Sequence, residues 1–186
     1  MKRPFDLICA ALLSIVLAIP TLIIVILIRI SSKGPTIHWS DRVGRYNSIF
    51  KMPKFRTMKI DTPQIATHLM NNPNDWITPV GGYLRKYSLD EFPQLWSILK
   101  GDMSFVGPRP ALYNQKDLVK LRTEKGVNSL TPGLTGWAQI NGRDELSIRE
   151  KVSFDEYYLQ NQSFWFDFKI IILTIIRVFR KKDISH

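Results

Sequence analysis

The chain has 186 residues, with 26 Lys and Arg against 16 Asp and Glu and a formal net charge of +10. At 45% apolar and 23% charged it carries too many apolar groups to stay disordered, and too few long apolar runs for a polytopic membrane protein. A single cysteine, Cys9, excludes an internal disulfide framework and a cysteine-ligated zinc site, and the basic excess predicts an anionic partner: nucleic acid, anionic lipid or a phosphorylated substrate.

The first predicted element is the uncharged run 7–28. A straight helix over it would reach roughly 33 Å, enough to cross a bilayer core. Three readings compete. A signal peptide has the basic start Met1-Lys2-Arg3 but fits poorly with so long a run and with Ile28-Arg29-Ile30 as a cleavage site. A simple spanning helix conflicts with positive charge on both flanks, Lys2 and Arg3 before, Arg29, Lys33, Arg42 and Arg45 after. A hairpin that enters and leaves by one face accommodates both flanks. Pro20 leaves the Val16 carbonyl without a donor and crowds that turn, so a kink is expected there. Asp6, at the mouth of the run, is placed to pair with Arg3 or Arg29.

From residue 31 onward the pattern predicts short mixed elements, an α+β body. Extended pieces are expected over 36–40 and 49–58, with turns at Gly44 and Asn47, and an exposed Asn- and Pro-rich loop over 71–75. A turn over 77–82 leads into 83–87 and then a helix near 91–100, ended by Gly101. A rigid loop follows over 105–110. Helices are expected over 113–125, ending near Gly126, and over 145–160, with a glycine-rich loop over 130–142 between them. The last piece, 164–180, has an apolar stretch too short to span and basic residues at its end. It reads as an amphipathic helix lying at a membrane surface, with a buried terminal helix as the competitor.

Chemistry concentrates in three places. In Arg85-Lys86-Tyr87-Ser88-Leu89-Asp90-Glu91-Phe92-Pro93, the S-x-x-E spacing fits a capping box on Ser88. That register puts Pro93 inside the helix, whereas proline fits best at its first position. In that second register Asp90 and Glu91 lie just before a helix start, which favours their anionic forms. Two adjacent carboxylates among basic residues suit Mg²⁺, and a carboxylate can also attack a phosphoryl group. In Gly107-Pro108-Arg109-Pro110 the prolines hold the arginine, which suits bidentate phosphate recognition; an ordinary turn arginine is the alternative. In 132–143, glycines allow close approach, and Gln139, Asn141 and Arg143 are of the types that read a sugar or nucleotide. Lys54 and Arg56 alternate along an extended piece and should share a face. His38, His68 and His186 form no metal pattern, and the tryptophans do not interleave with a basic stripe.

The segments Lys54-Phe55-Arg56-Thr57-Met58, Ser88 to Leu95, Lys100 to Pro110 and Pro132 to Arg143 stand in this order along the chain. Together they resemble the bacterial sugar transferase family, the monotopic phosphoglycosyl transferases, in its minimal catalytic-core form. The resemblance implies a re-entrant membrane anchor over 1–30 and a catalytic domain over 31–186, at the cytoplasmic face of the bacterial inner membrane. It implies transfer of a sugar 1-phosphate from a UDP-sugar to undecaprenyl phosphate, releasing UMP, with Mg²⁺ and a covalent enzyme intermediate. It places the nucleophile on Asp90, its metal-binding partner on Glu91, and the basic active-site positions on Lys54, Arg85 and Arg109. Some relatives have Ser-Pro at the membrane break where this chain has Ile19-Pro20. The alternative from another class is a basic membrane-tethered adaptor that binds lipid or nucleic acid without catalysis, which leaves the Asp90-Glu91 pair without a purpose.

Overall fold

The computed structural model describes residues 2–62, 73–142 and 145–180. Helices α1 (Lys2–Val16) and α2 (Ala18–Ser31) meet at Leu17 with a bend of 60°. The break falls three residues ahead of Pro20, where the kink was expected. The reason is that proline disturbs the turn before it: its ring crowds Val16, and Pro20 itself sits comfortably in the first turn of α2. Neither helix alone is long and apolar enough to cross a membrane. Asp6 is buried but pairs with neither arginine; it accepts the Phe105 amide at 3.2 Å. Arg3 instead donates to the carbonyls of Ile98 and Leu99 at the C-terminal end of a helix.

Strands β1 (Ile37–Val43) and β2 (Ile49–Phe55) form an antiparallel hairpin with His38 opposite Lys54 and Val43 opposite Ile49. Its turn is tight: Tyr46 and Asn47 both take left-handed φ values, 54° and 62°. The expected strand 36–40 thus runs on to Val43, and the expected piece 49–58 ends at Phe55, with Met58 bridging only to Ile77. Arg56, past the end of β2, does not share the work of Lys54. It is buried and donates to the carbonyls of Lys33 and Ser32, tying the exit of α2 to the body.

A short 3-10 helix covers Pro73–Trp76, overlapping the loop expected over 71–75. Helix α3 (Pro79–Lys86) is capped by the Thr78 hydroxyl, which accepts from the Gly81 amide. Helix α4 (Gln94–Lys100) starts one residue after Pro93, and Gly101 ends it at φ 103°. Strand β3 (Ser104–Val106) occupies the start of the expected rigid loop, and β4 (Ala111–Leu112) follows it, adding to the free edge of β1. Helix α5 (Lys116–Glu124) is shorter than expected at its start and ends before Gly126, φ 71°. The glycine-rich segment contains β5 (Gly133–Thr135), parallel to β3, and one turn of helix, α6 (Trp137–Ile140).

Helix α7 (Ile148–Asn161) opens with a capping box, Ser147 with Glu150. Helix α8 (Phe164–Arg180) matches the expected bounds. One side of α8 is fully buried at Ile170, and the other leaves Trp165 75% exposed with Phe168, Ile172, Ile175 and Ile176 beside it. One face is thus buried in the body, and the opposite face is apolar and exposed.

The core lies in several small clusters rather than one. Ala10 of α1 packs with Phe50, Met52, Leu95, Ile98 and Met103; Ile24 and Ile28 of α2 pack with Phe55 and Leu84. The bent pair is thus built into the body along one side only. Its other side exposes Leu12, Ile15, Val16, Ile19, Leu22 and Ile23. Lys2, at the foot of α1, reaches α8, 2.5 Å from Asp167, which also accepts from the buried Tyr158 hydroxyl at 2.6 Å.

Candidate active site

Asp90 and Glu91 sit in a 3-10 turn, Leu89–Glu91, wedged between α3 and α4. Ser88 makes no side-chain cap; it takes a left-handed φ of 55° that reverses the chain. This overturns the capping-box reading and leaves both carboxylates just ahead of α4, as the second register required. Adjacent residues of a regular helix point about 100° apart, yet here both carboxylates approach one amine. Lys54 Nζ lies 2.8 Å from Glu91 Oε1 and 3.7 Å from Asp90 Oδ2.

Arg109 completes the arrangement, its guanidinium 3.7 Å from the same Glu91 oxygen. The side chains of Asp90, Glu91 and Lys54 are 11–18% exposed, and that of Arg109 36%. Asp90 is held above the ordinary carboxylate range, first by burial; the Glu91 charge adds to this, and Lys54, Arg85 and Arg109 oppose it. Burial likewise lowers the Arg85 guanidinium, opposed by Asp90. At 3.7 Å Lys54 is too far to hydrogen-bond Asp90. Its pull on Asp90 is electrostatic.

Two members of the cluster had no signal of their own in the motifs. Arg42 was read only as a basic flank. It stands on β1 and donates to the Pro110 carbonyl at 3.1 Å; burial, then Arg109, pushes it down to about 10, opposed by Glu91. His38, four residues back along β1 and opposite Lys54, is lowered by burial and then by Arg42 and Lys54. The alternation His38, Ser40, Arg42 was the available clue, since period-two spacing puts these on one face of a strand.

Not every expected residue joins the carboxylates. Asn141 is exposed and donates to the Trp137 carbonyl at 2.7 Å. Gln139 folds back over Gly136, and both polar atoms of its amide are buried without a hydrogen-bond partner. Gln139 thus lies beside the Gly107 loop rather than on the Asp90 turn. Arg143 falls outside the described residues.

The glycines of the third motif serve backbone packing. Gly133 and Gly136 each press on Gly107 of the second motif so closely that a Cβ on any of the three would strike backbone atoms. This contact carries Arg109 to the site: β3 and β5 pair side by side, and the Pro108 carbonyl accepts the Gly133 amide at 2.9 Å.

The sequence matches the family model described as bacterial sugar transferase over residues 1–181. It is 38% identical to an uncharacterized sugar transferase, EpsL, of Bacillus subtilis, covering all of this chain and 91% of that protein. It is 37% identical to the UDP-glucose:undecaprenyl-phosphate glucose-1-phosphate transferase of Escherichia coli, over 98% of this chain, but spans only 41% of that longer protein. An undecaprenyl-phosphate galactose phosphotransferase of Salmonella typhimurium is 33% identical over 97% of this chain, which again spans 41% of the relative. Matched by the family model along nearly its whole length, and similar to relatives named as undecaprenyl-phosphate sugar phosphotransferases, this chain belongs to the bacterial sugar transferases, a family of phosphoglycosyl transferase enzymes.

Proposed function

We propose that the protein transfers a sugar 1-phosphate from a UDP-sugar to undecaprenyl phosphate, yielding undecaprenyl-diphosphate-linked sugar and UMP, as the first step of a surface polysaccharide or glycoconjugate. The observation that carries this is the pair of largely buried carboxylates, Asp90 and Glu91, facing Lys54 and Arg109. Asp90 is the nucleophile. One of its carboxylate oxygens forms a bond to the sugar-bearing phosphorus, the bond from that phosphorus to the bridging oxygen breaks, and UMP leaves. An oxygen of undecaprenyl phosphate then attacks the same phosphorus, and the bond to Asp90 breaks. Arg109, held between prolines, clamps the diphosphate, and Lys54 and Arg85 offset its charge.

Mg²⁺ suits the donor set. Among the described residues no cluster of three or more acidic, histidine or cysteine groups forms a cage. Magnesium needs none, since it binds through one or two carboxylates plus substrate phosphate. Glu91 and Asp90 would hold it, and when bound it would offset charge on the diphosphate.

The exposed apolar side of the bent pair 1–30 and that of α8 support a monotopic attachment at the cytoplasmic face, with anionic lipid meeting the basic ends. The active site over 31–186 then meets a soluble donor and a lipid acceptor at one surface. The test is UMP release from a panel of UDP-sugars with Mg²⁺ and undecaprenyl phosphate. With donor alone, the protein should gain the mass of one phosphosugar on Asp90. Initial rates that require a ternary complex, with no adduct, would make Asp90 a metal ligand or base instead.

A further inference from the structure

The backbone that carries Arg109 is held at three consecutive carbonyls. Pro108 accepts from the Gly133 amide at 2.9 Å, Arg109 from Arg122 at 2.8 Å, and Pro110 from Arg42 at 3.1 Å. Arg122 comes from the last turn of α5, and its guanidinium is divided between two tasks. One nitrogen serves the Arg109 carbonyl. The other two converge on Oδ2 of Asp155, at 2.9 and 2.7 Å. Asp155 stands on α7 and is 1% exposed; the Arg122 side chain is 11% exposed.

A buried ion pair is a poor source of stability, because desolvating two charges consumes most of what their attraction returns. Its value is directional. Asp155 fixes the plane of the guanidinium, and that plane fixes the third nitrogen on the carbonyl of the residue that faces Glu91. With Pro108 and Pro110 limiting φ on either side, the remaining freedom is rotation of the peptide planes, and Arg122 takes it away at residue 109. Lysine has no fork to serve both partners at once.

We propose that Arg122 and Asp155 form a positioning pair that aims the Arg109 guanidinium at the carboxylate site. The role assigned to Arg109, contact with the donor diphosphate, rests on the proposed function. Arg122 touches no substrate and acts through Arg109 alone.

The test is a double-mutant cycle on the full-length protein in detergent or nanodiscs, with Arg122→Gln, Arg109→Ala and the double variant. Two readouts are scored: kcat/KM for UMP release, and affinity for UDP by titration with Mg²⁺. Arg122→Gln should lower kcat/KM by about 10- to 100-fold, the range expected when a clamp is displaced by about an ångström. It should weaken UDP as well, and add nothing to either loss in the Arg109→Ala background. Losses that multiply equally in both backgrounds would overturn the proposal and make the pair a structural tie. Arg122→Lys retains the charge beside Asp155, and is put through the same cycle if the glutamine variant melts early. Near-normal activity and UDP affinity in Arg122→Lys would also overturn it. A wild-type protein that releases no UMP from any donor would sink the functional reading, while the UDP cycle would still judge the pair.

Discussion

Asp90 shows how burial sets a residue's chemistry. Its carboxyl is raised above the ordinary aspartate value of about 3.9, chiefly by burial. Between the unfolded and folded pKa values the native state binds the extra proton, so stability falls as pH rises through that window. The ionised carboxylate, the nucleophile of the proposed mechanism, therefore costs the fold stability at neutral pH. Asp90→Asn should abolish turnover yet leave the melting temperature unchanged or higher, measured side by side on purified protein. The acid limb of kcat/KM against pH should lie above the ordinary aspartate range; a limb at or below it would argue against Asp90 as the group that must ionise. Arg109→Lys should lose at least about tenfold in kcat/KM, because an ammonium cannot make the planar two-point contact. Turnover close to wild type in that variant would return Arg109 to the role of a turn residue.

At the level of elements, two features depend on what cannot fit rather than on what attracts. The β3–β5 pair relies on bare glycine. A Cβ at Gly133 would press into the Gly107 amide and the Thr135 carbonyl, both backbone atoms that cannot swing aside. Gly133→Ala should destabilise the protein by about 1–3 kcal/mol, the usual cost of overpacking, and should depress activity further by shifting the Arg109 loop. Denaturant unfolding set against kcat/KM separates the two effects. The bent helix pair depends on Pro20 in the same negative way. Pro20→Leu would give the Val16 carbonyl its missing donor and remove the crowding, so the 60° bend should relax. In the wild type, cysteines introduced near Lys2 and near Lys33 should both label from the cytoplasmic side. Periplasmic labelling of either would restore a straight spanning helix.

Across the whole molecule, sequence and tertiary structure divided the account along a physical line. The apolar run 7–28, its doubly basic flanks, the final amphipathic helix 164–180 and the stops at Gly101 and Gly126 were all legible in the chain. Each rests on local properties: hydropathy, a missing N–H, a left-handed φ. The Asp90-Glu91 and Pro-Arg-Pro motifs were legible too, because chemically unusual residues cluster within a few positions. Other features were hidden. The capture of Asp6 by the Phe105 amide and the separate fates of Lys54 and Arg56 depend on partners far along the chain. Arg42 reads as one more basic residue until β4 pairs with β1 and brings the Pro110 carbonyl to it. Arg122 and Asp155 sit in ordinary amphipathic helices, with nothing nearby to mark them. Periodicity and turn chemistry are short-range and survive in a string of letters. The convergence of charges from β1, β2, the Asp90 turn, the Arg109 loop and α5 is a property of packing, and only the folded chain decides it.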